Sequence, residues 1–259
     1  MTTSASLAGR TALVTGAGNG LGRAIAIALA AAGAGVVLVG RTPATLEATA
    51  TLVRATGRAA RSERCDVSDP VAVAELVRRT ADLDVSILVN NAGVGGPVKS
   101  LVDVEPDEWD NVFAANVRSA YLMSRAYLPA MIAAGTGDVV MIASVSGKRP
   151  LARRTPYVAS KMALIGLTRT LAFEVGPAGV SVNSVSPGPV RGERMARNFR
   201  LEAAATGVSE QDAEQAFVSR AATGRLLEEY EVGDAVVGLL GMSGLCGADI
   251  DLSAGMIAP

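Results

Sequence analysis

Five short apolar runs in this chain do not alternate. TALVTG (11–16), VVLVG (36–40), SILVNNAG (86–93), DVVMIAS (138–144) and VSVNSVSPG (180–188) set hydrophobic residues side by side. A strand with one wet face alternates apolar and polar side chains, whereas a strand covered on both faces need not. Runs of this kind therefore predict a parallel sheet sandwiched between helices. RSERCDV (61–67) reads as a weaker strand of the same sheet. Helical patterns separate the runs, over residues 20–32, 44–56, 70–81, 107–133 and 156–175. Strand–helix alternation predicts parallel βαβ units. Right-handed crossovers then wind them into an α/β fold, a doubly wound parallel sheet with helices on both faces.

The chain has 259 residues, 49% of them hydrophobic, enough for one large core. Without repeats, low-complexity tracts or a linker, it reads as a single domain over 1–259. Residues 189–230 break the rhythm: RGERMARNFRLEAAATGVSEQDAEQAFVSRAATGR (191–225) is charged, helical in propensity and free of strand pattern. This stretch leaves the sheet at its carboxyl edge, where such folds bind ligands, so a helical substrate lid is expected. An oligomer contact or plain surface helices would look the same. Net charge is −1, from 24 basic and 25 acidic residues, which leaves no electrostatic footprint for nucleic acid or an anionic membrane. Residues 24–40 are uncharged, at the lower limit for a membrane span of about 17–25 residues. Gly33 and Gly35 cut this run into a buried helix, a turn and a buried strand. Cys65 and Cys246 make no disulfide framework, and no secretory signal is visible, so a reduced cytoplasmic setting is expected. No metal site is expected.

TGAGNGLG (15–22) joins the first strand to its helix, with glycines at Gly16, Gly18, Gly20 and Gly22. Glycines allow a sharp turn and close approach of the backbone to a pyrophosphate, which rests on the free N–H groups and dipole of the following helix. A plain tight βα turn is the alternative, but the placement after the first strand of a βαβ unit is that of a dinucleotide site. Such sites carry a carboxylate about 20 residues further on for the adenosine ribose. Here those positions are Gly40, Arg41 and Thr42. A carboxylate would repel a 2′-phosphate and an arginine would bind it, so NADP(H) is favoured. NAD(H) held by other contacts, with Arg41 merely solvated, is the alternative.

The chain has no histidine and four tyrosines. Tyr157 precedes Lys161 by one helical turn, so the two share a face. An ammonium beside a phenol favours the phenolate and brings a poor acid–base group towards neutral pH. Most Y-x-x-x-K pairs are exposed helix neighbours. Here, however, Ser144 ends the fifth strand only 13 residues earlier, and Asn116 sits on an otherwise apolar stripe, where a polar amide needs a partner.

With these residues in place, the chain resembles the short-chain dehydrogenase/reductase family over essentially its whole length. The resemblance rests on TGAGNGLG, CDV (65–67), NNAG (90–93), Asn116, Ser144, YVASK (157–161), PGPV (187–190) and a closing GADIDLSAG (247–255). It implies a Rossmann-like sheet of about seven strands and reversible hydride transfer between NADP(H) or NAD(H) and a carbonyl or secondary alcohol. It implies Tyr157 as general acid–base, Lys161 as its tuning partner and ribose ligand, Ser144 on the substrate oxygen, and Asn116 holding a water beside Lys161. Asn19, Leu21 and the glycines would take the pyrophosphate. Asp66 and Val67 would flank the adenine, with Asn90, Ala92 and Gly93 along the groove and Pro187, Gly188 and Val190 at the nicotinamide. Ser146, Arg154 and Met195 are candidate substrate contacts. Many relatives carry a threonine where Arg191 stands, so that arginine is a candidate for a phosphate or an anionic substrate. A homotetramer, or a homodimer, is implied, with the helices at 107–133 and 156–175 at one interface.

The loop between Ser144 and Tyr157 carries Lys148, Arg149, Arg153 and Arg154. It either recruits an anionic group or is simply solvated. A non-catalytic dinucleotide-binding regulator and a dehydratase or epimerase are the competing functions. The first would have no need of Ser144, Tyr157, Lys161 and Asn116 together, and the second is opposed by the lack of a separate substrate domain.

Overall fold

A computed structural model describes residues 6–257; the ends of the expected domain, 1–5 and 258–259, lie outside the described residues. Seven parallel strands form one sheet: β1 Thr11–Thr15, β2 Gly35–Gly40, β3 Ala60–Arg64, β4 Val85–Asn90, β5 Gly137–Ile142, β6 Val180–Pro187 and β7 Asp249–Leu252. Their order across the sheet is β3-β2-β1-β4-β5-β6-β7. Every pair is parallel, β1 with β2 in the register Thr11 to Gly35 and β4 with β5 in the register Ile87 to Asp138.

Successive residues of a strand face opposite ways, and the apolar runs divide accordingly. Leu13, Val37, Leu88, Val139 and Met141 pack on one face against α3 (Pro70–Arg79), α5 (Ser119–Ala134) and α6 (Thr155–Val175). Val14, Leu38, Ile87, Val89 and Val140 pack on the other, against α1 (Gly20–Ala31), α2 (Pro43–Arg54) and α9 (Glu229–Leu240). The edge strand β3 is half exposed, and its ARSER sequence fits that position. Buried Glu63 there is held by Arg61 and Arg79.

Two elements depart from the sequence expectation. The helix expected over 107–133 is α4 (Pro106–Phe113) and α5, joined by a π-helical turn over Ala114–Arg118 that contains Asn116. Such turns insert a residue into the helix and often mark functional sites. The helix α9 had no counterpart in the sequence reading. Its signal was a reciprocal cap, Glu228 with Glu231, ahead of a Val and Leu stripe. The expected helical stretch 189–230 holds α7 (Glu193–Thr206) and α8 (Glu210–Val218), with a small core of Phe199, Ala213 and Leu226. It also holds both ends of an isolated parallel bridge, Val190 to Leu227, that ties the segment back to itself.

Helix α9 packs closely on α1. A Cβ at Gly233 would lie 2.8 Å from Ala28 Cβ and 3.0 Å from the Ala24 carbonyl oxygen, whereas one at Gly238 would meet nothing within 4 Å. Replacing Gly233 with Ala should lower stability by about 1–3 kcal/mol through overpacking. The same change at Gly238 should raise it by about 0.5–1 kcal/mol, since alanine is the better helix former. Denaturant unfolding of the two variants checks the opposite signs.

Candidate active site

Strand order reverses between β1 and β4: the chain winds outwards from β1 through β2 to β3, and from β4 through β5 to β7. A crevice opens at the carboxyl ends of such a seam. Here it forms a cavity of about 630 Å³.

Gly16, Gly18, Asn19, Gly20, Leu21 and Gly22 line its first end. Gly16 takes φ 66°, and a Cβ on Gly22 would fall 2.2 Å from the Gly16 carbonyl oxygen, so the turn closes only without side chains. Asn19 precedes α1 without capping it, and the first turn holds no acidic residue. The first N–H groups of α1 thus have no side-chain cap from their own turn, a fit for an anion, with the Glu229 carboxylate standing to one side, its Oε1 3.6 Å from where a Gly20 Cβ would lie. The turn is held from behind by Asn91, whose side-chain amide donates to the Thr15 carbonyl at 2.9 Å. Thr15 Oγ1 in turn accepts the Asn91 and Ala92 backbone N–H groups.

Arg41, Asp66 and Val67 form the next wall. Asp66 accepts the backbone N–H and hydroxyl of Ser68, which hold its carboxyl below the usual range, with Arg41 adding to the effect. Ala92 and Gly93 continue the groove, and Pro187, Gly188 and Val190 close its far side.

Two expected residues are not on the wall. Asn90 ends β4 on the Leu88 face, where it donates to Ser124 Oγ at 3.2 Å and Met141 Sδ at 3.3 Å. The period of two sends it beneath the sheet and leaves the groove to Asn91. Asn116 is buried, and its amide is engaged as a clamp: Oδ1 accepts the Val94 N–H at 2.7 Å, while Nδ2 donates to the Val94 carbonyl and Ser160 Oγ. The π-turn aims it at the segment after β4, so it fixes the groove wall from outside.

Ser144, Ser146, Arg154, Tyr157, Lys161 and Met195 all line the second end. Ser144 leaves β5 and caps a short turn over Val145–Gly147, its hydroxyl accepting the Ser146 N–H at 3.1 Å. That turn rests directly on α6: a Cβ on Gly147 would lie 3.0 Å from Lys161 carbonyl carbon and Met162 N. Ser144 is thereby brought beside the helix that carries Tyr157 and Lys161. Lys161 donates to the Ile142 carbonyl at 2.7 Å, and its ammonium lies 5.8 Å from the centre of the Tyr157 ring. Burial, with a smaller contribution from Arg194, pushes the Lys161 ammonium down to about 7. Burial likewise raises Cys65, a free thiol on the wall, to about 11, so it stays protonated.

The basic loop separates into two kinds. Lys148 is neutralised by Asp249 at 2.7 Å and Asp251 at 3.4 Å, and Arg153 by Glu202 of α7. Arg149 and Arg154 line the cavity instead. Arg191 reaches the wall, but its guanidinium is held by Glu228 at 3.0 Å. Arg194, which the sequence reading did not single out, crosses the groove to donate to the Gly93 carbonyl at 2.9 Å.

Comparison with known proteins identifies the family. The family model described as short chain dehydrogenase matches residues 10–204. The chain belongs to the short-chain dehydrogenase family. Among its relatives, a Streptomyces virginiae protein named for the ketoacyl reductase of the monensin polyketide synthase is 36% identical over 237 residues, covering 90% of this chain and 88% of the relative. The structure of an NAD+-bound xylitol dehydrogenase superimposes with a TM-score of 0.91 at 30% identity, covering 96% of this chain and 99% of the other. An Agrobacterium tumefaciens structure with bound NADP, named for 2-deoxy-D-gluconate 3-dehydrogenase, gives 0.87 at 32% identity and 98% coverage of both. This short-chain dehydrogenase is thus an oxidoreductase of carbonyl or alcohol groups. Among its described residues no helix is long and apolar enough to cross a membrane.

Lys161 makes a stability prediction. The folded state holds this lysine at about 7, against 10.5 unfolded. Between those values the unfolded chain binds the extra proton, so this group's contribution rises with pH and its penalty is full at and below about pH 7. Lys161→Met should therefore stabilise the protein at pH 7 by roughly 2–4 kcal/mol, a gain that fades towards pH 10. Denaturant unfolding of both proteins across this range measures it; a gain independent of pH would contradict the assignment.

Proposed function

We propose that this enzyme transfers hydride reversibly between NADP(H) and a carbonyl or secondary alcohol, with Tyr157 as the proton carrier. The observation that carries this reading is the meeting of Ser144, Tyr157 and Lys161 at one end of a cavity whose other end is the glycine turn. The bound nicotinamide would supply the hydride chemistry at the Tyr157 end. The glycine turn and the N-terminus of α1 would hold the pyrophosphate, and Lys161 the nicotinamide ribose.

Ser144 Oγ, fixed by its bond from Ser146 N, donates to the substrate oxygen and stabilises charge developing there. Tyr157 gives its phenolic proton to the same oxygen in reduction and takes it back in oxidation. Lys161 lies beside that phenol with its proton poised near neutrality, so it can return a proton to Tyr157 without a strong base. Asn116 keeps the Val94 backbone and Ser160, one residue before Lys161, in position. Residues 189–230 act as a lid, in which Arg194, Asn198 and Glu202 of α7 reach Gly93, Arg154 and Arg153.

NADP(H) is favoured over NAD(H) by Arg41. Residues 40–42 carry no carboxylate, and among the described residues no ion pair engages Arg41; the nearby Asp66 is bonded to Ser68. Thr42 precedes α2 in an extended conformation without a side-chain cap, so a second helix N-terminus faces the same point. The outward-facing Met162 and Phe173 of α6 support association of copies, and a homotetramer is part of this reading.

Tyr157→Phe should cut kcat by about 10²–10⁴-fold while NADPH fluorescence titration shows binding retained. Near-normal turnover in that variant would refute the role. Arg41→Asp should raise KM for NADPH by about 10–100-fold and leave KM for NADH unchanged or lower, read from initial rates with each cofactor.

A further inference from the structure

Two consecutive arginines in the loop before α6 point to different fates. Arg153 takes a left-handed conformation, φ 61°, that side chains other than glycine seldom adopt. Such strain persists where surrounding contacts enforce it and is a pointer to function. Its backbone carbonyl is fixed by the Lys99 N–H and its guanidinium by Glu202. The turn so produced sends Arg153 outwards to the lid and Arg154 inwards to the cavity.

Arg154 is only 7% exposed. Two neutral oxygens accept from it, the Gly95 carbonyl at 3.4 Å and Asn198 Oδ1 at 2.7 Å. Among the described residues no carboxylate pairs with it; the nearby Glu202 is engaged by Arg153. A guanidinium carries five N–H groups, and a buried one without a counter-charge is costly. Burial indeed weakens its hold on its proton. It stands three residues before Tyr157, at the N-cap of the same helix, so both project from the first turn of α6 into one chamber.

The chamber around it is otherwise apolar on several sides, through Val145, Leu151, Met195, Phe217 and Met256. The charges that act on Arg154 are Arg153 and Arg197, both cationic, and Glu202, which Arg153 already engages; the wider cavity wall carries Arg149, Arg194 and Arg220 together with Glu193 and Glu229. The anionic groups of a dinucleotide would be met elsewhere, at the α1 N-terminus and Arg41.

We propose that Arg154 is the seat of a substrate carboxylate, which makes the substrate an oxo acid or hydroxy acid with an aliphatic body. This deepens the hydride-transfer reading and rests on it. The oxo acid gains a hydride from NADPH at its carbonyl carbon and a proton from Tyr157 at the oxygen, giving the hydroxy acid and NADP+; the carboxylate is unchanged and serves as the handle. A planar fork matched to two carboxylate oxygens orients the carbonyl towards Tyr157 and Ser144. Arg154 is thus a specificity-determining residue, and its bond to Asn198 couples the filled seat to the lid.

The test compares charge at constant shape. Wild-type enzyme, Arg154→Gln and Arg154→Lys are assayed with NADPH on aliphatic 2-, 3- and 4-oxo acids and on the primary amide of each. For the oxo acid whose carbonyl reaches Tyr157, wild-type kcat/KM should favour acid over amide by on the order of 100-fold. Arg154→Gln should lose most of that ratio and Arg154→Lys keep part of it. A role confined to latching Asn198 would slow acid and amide alike and leave the ratio intact, which would overturn the proposal. If the Gln variant does not fold, the wild-type ratio alone decides: turnover of amides as fast as acids overturns the seat while hydride transfer stands. If nothing is reduced, the hydride-transfer reading fails, and the seat is judged by calorimetric titration of NADP+-saturated enzyme with malonate, succinate and glutarate against their diamides. Binding of the diacids that depends on Arg154 supports it; equal or absent binding overturns it.

Discussion

The site depends on one topological constraint: two parallel half-sheets wind in opposite directions from the seam between β1 and β4. Each crossover helix covers the face beside its own half, so none covers the carboxyl ends at the seam. The backbone groups there must be satisfied by turns and by whatever binds. The glycine turn after β1, the Asn91 segment after β4 and the Ser144 turn after β5 are three answers to the same need. Thr15 and Asn91 bind the first two together across the seam, so the groove is a built feature of the sheet edge.

The chamber stores unfavourable energy next to a core that can sustain it. Lys161 and Arg154 are buried cations, each bonded only to neutral oxygens among the described residues. Arg153 sits in a strained backbone conformation. Both apolar faces of the sheet are packed close to full burial, so the fold tolerates these local costs. The gain is chemical. A lysine held near neutrality can pass a proton, and a guanidinium without a counter-ion is available for an incoming anion.

Much of this was legible in the residues, for identifiable reasons. Non-alternating runs follow from burial on both faces, so β1, β2, β4, β5 and β6 fell within a few residues of their expected ranges. Glycine turns and the i, i+4 pair are local geometry, so the tight turn over Gly16–Gly22 and the common face of Tyr157 and Lys161 were legible in the chain, and both line the cavity. The misreading of Asn90 as a groove residue came from treating NNAG as one unit. The alternation already visible in Leu88 and Asn90 would have turned the first asparagine inwards. The π-turn at Ala114–Arg118 had no such signal, because a single inserted residue barely disturbs a helical pattern.

The amino-acid sequence by itself determined the class of sheet, the position of the glycine turn and the helix that carries the phenol and the ammonium. Each is encoded by spacing within one element or one connection. Only the tertiary structure decided which charges are spent and which remain available. Lys148, Arg149, Arg153 and Arg154 look alike in the chain, yet Asp249 and Glu202, distant in sequence, neutralise the first and third. Pairing of this kind depends on which elements the fold brings together, and no local pattern records it.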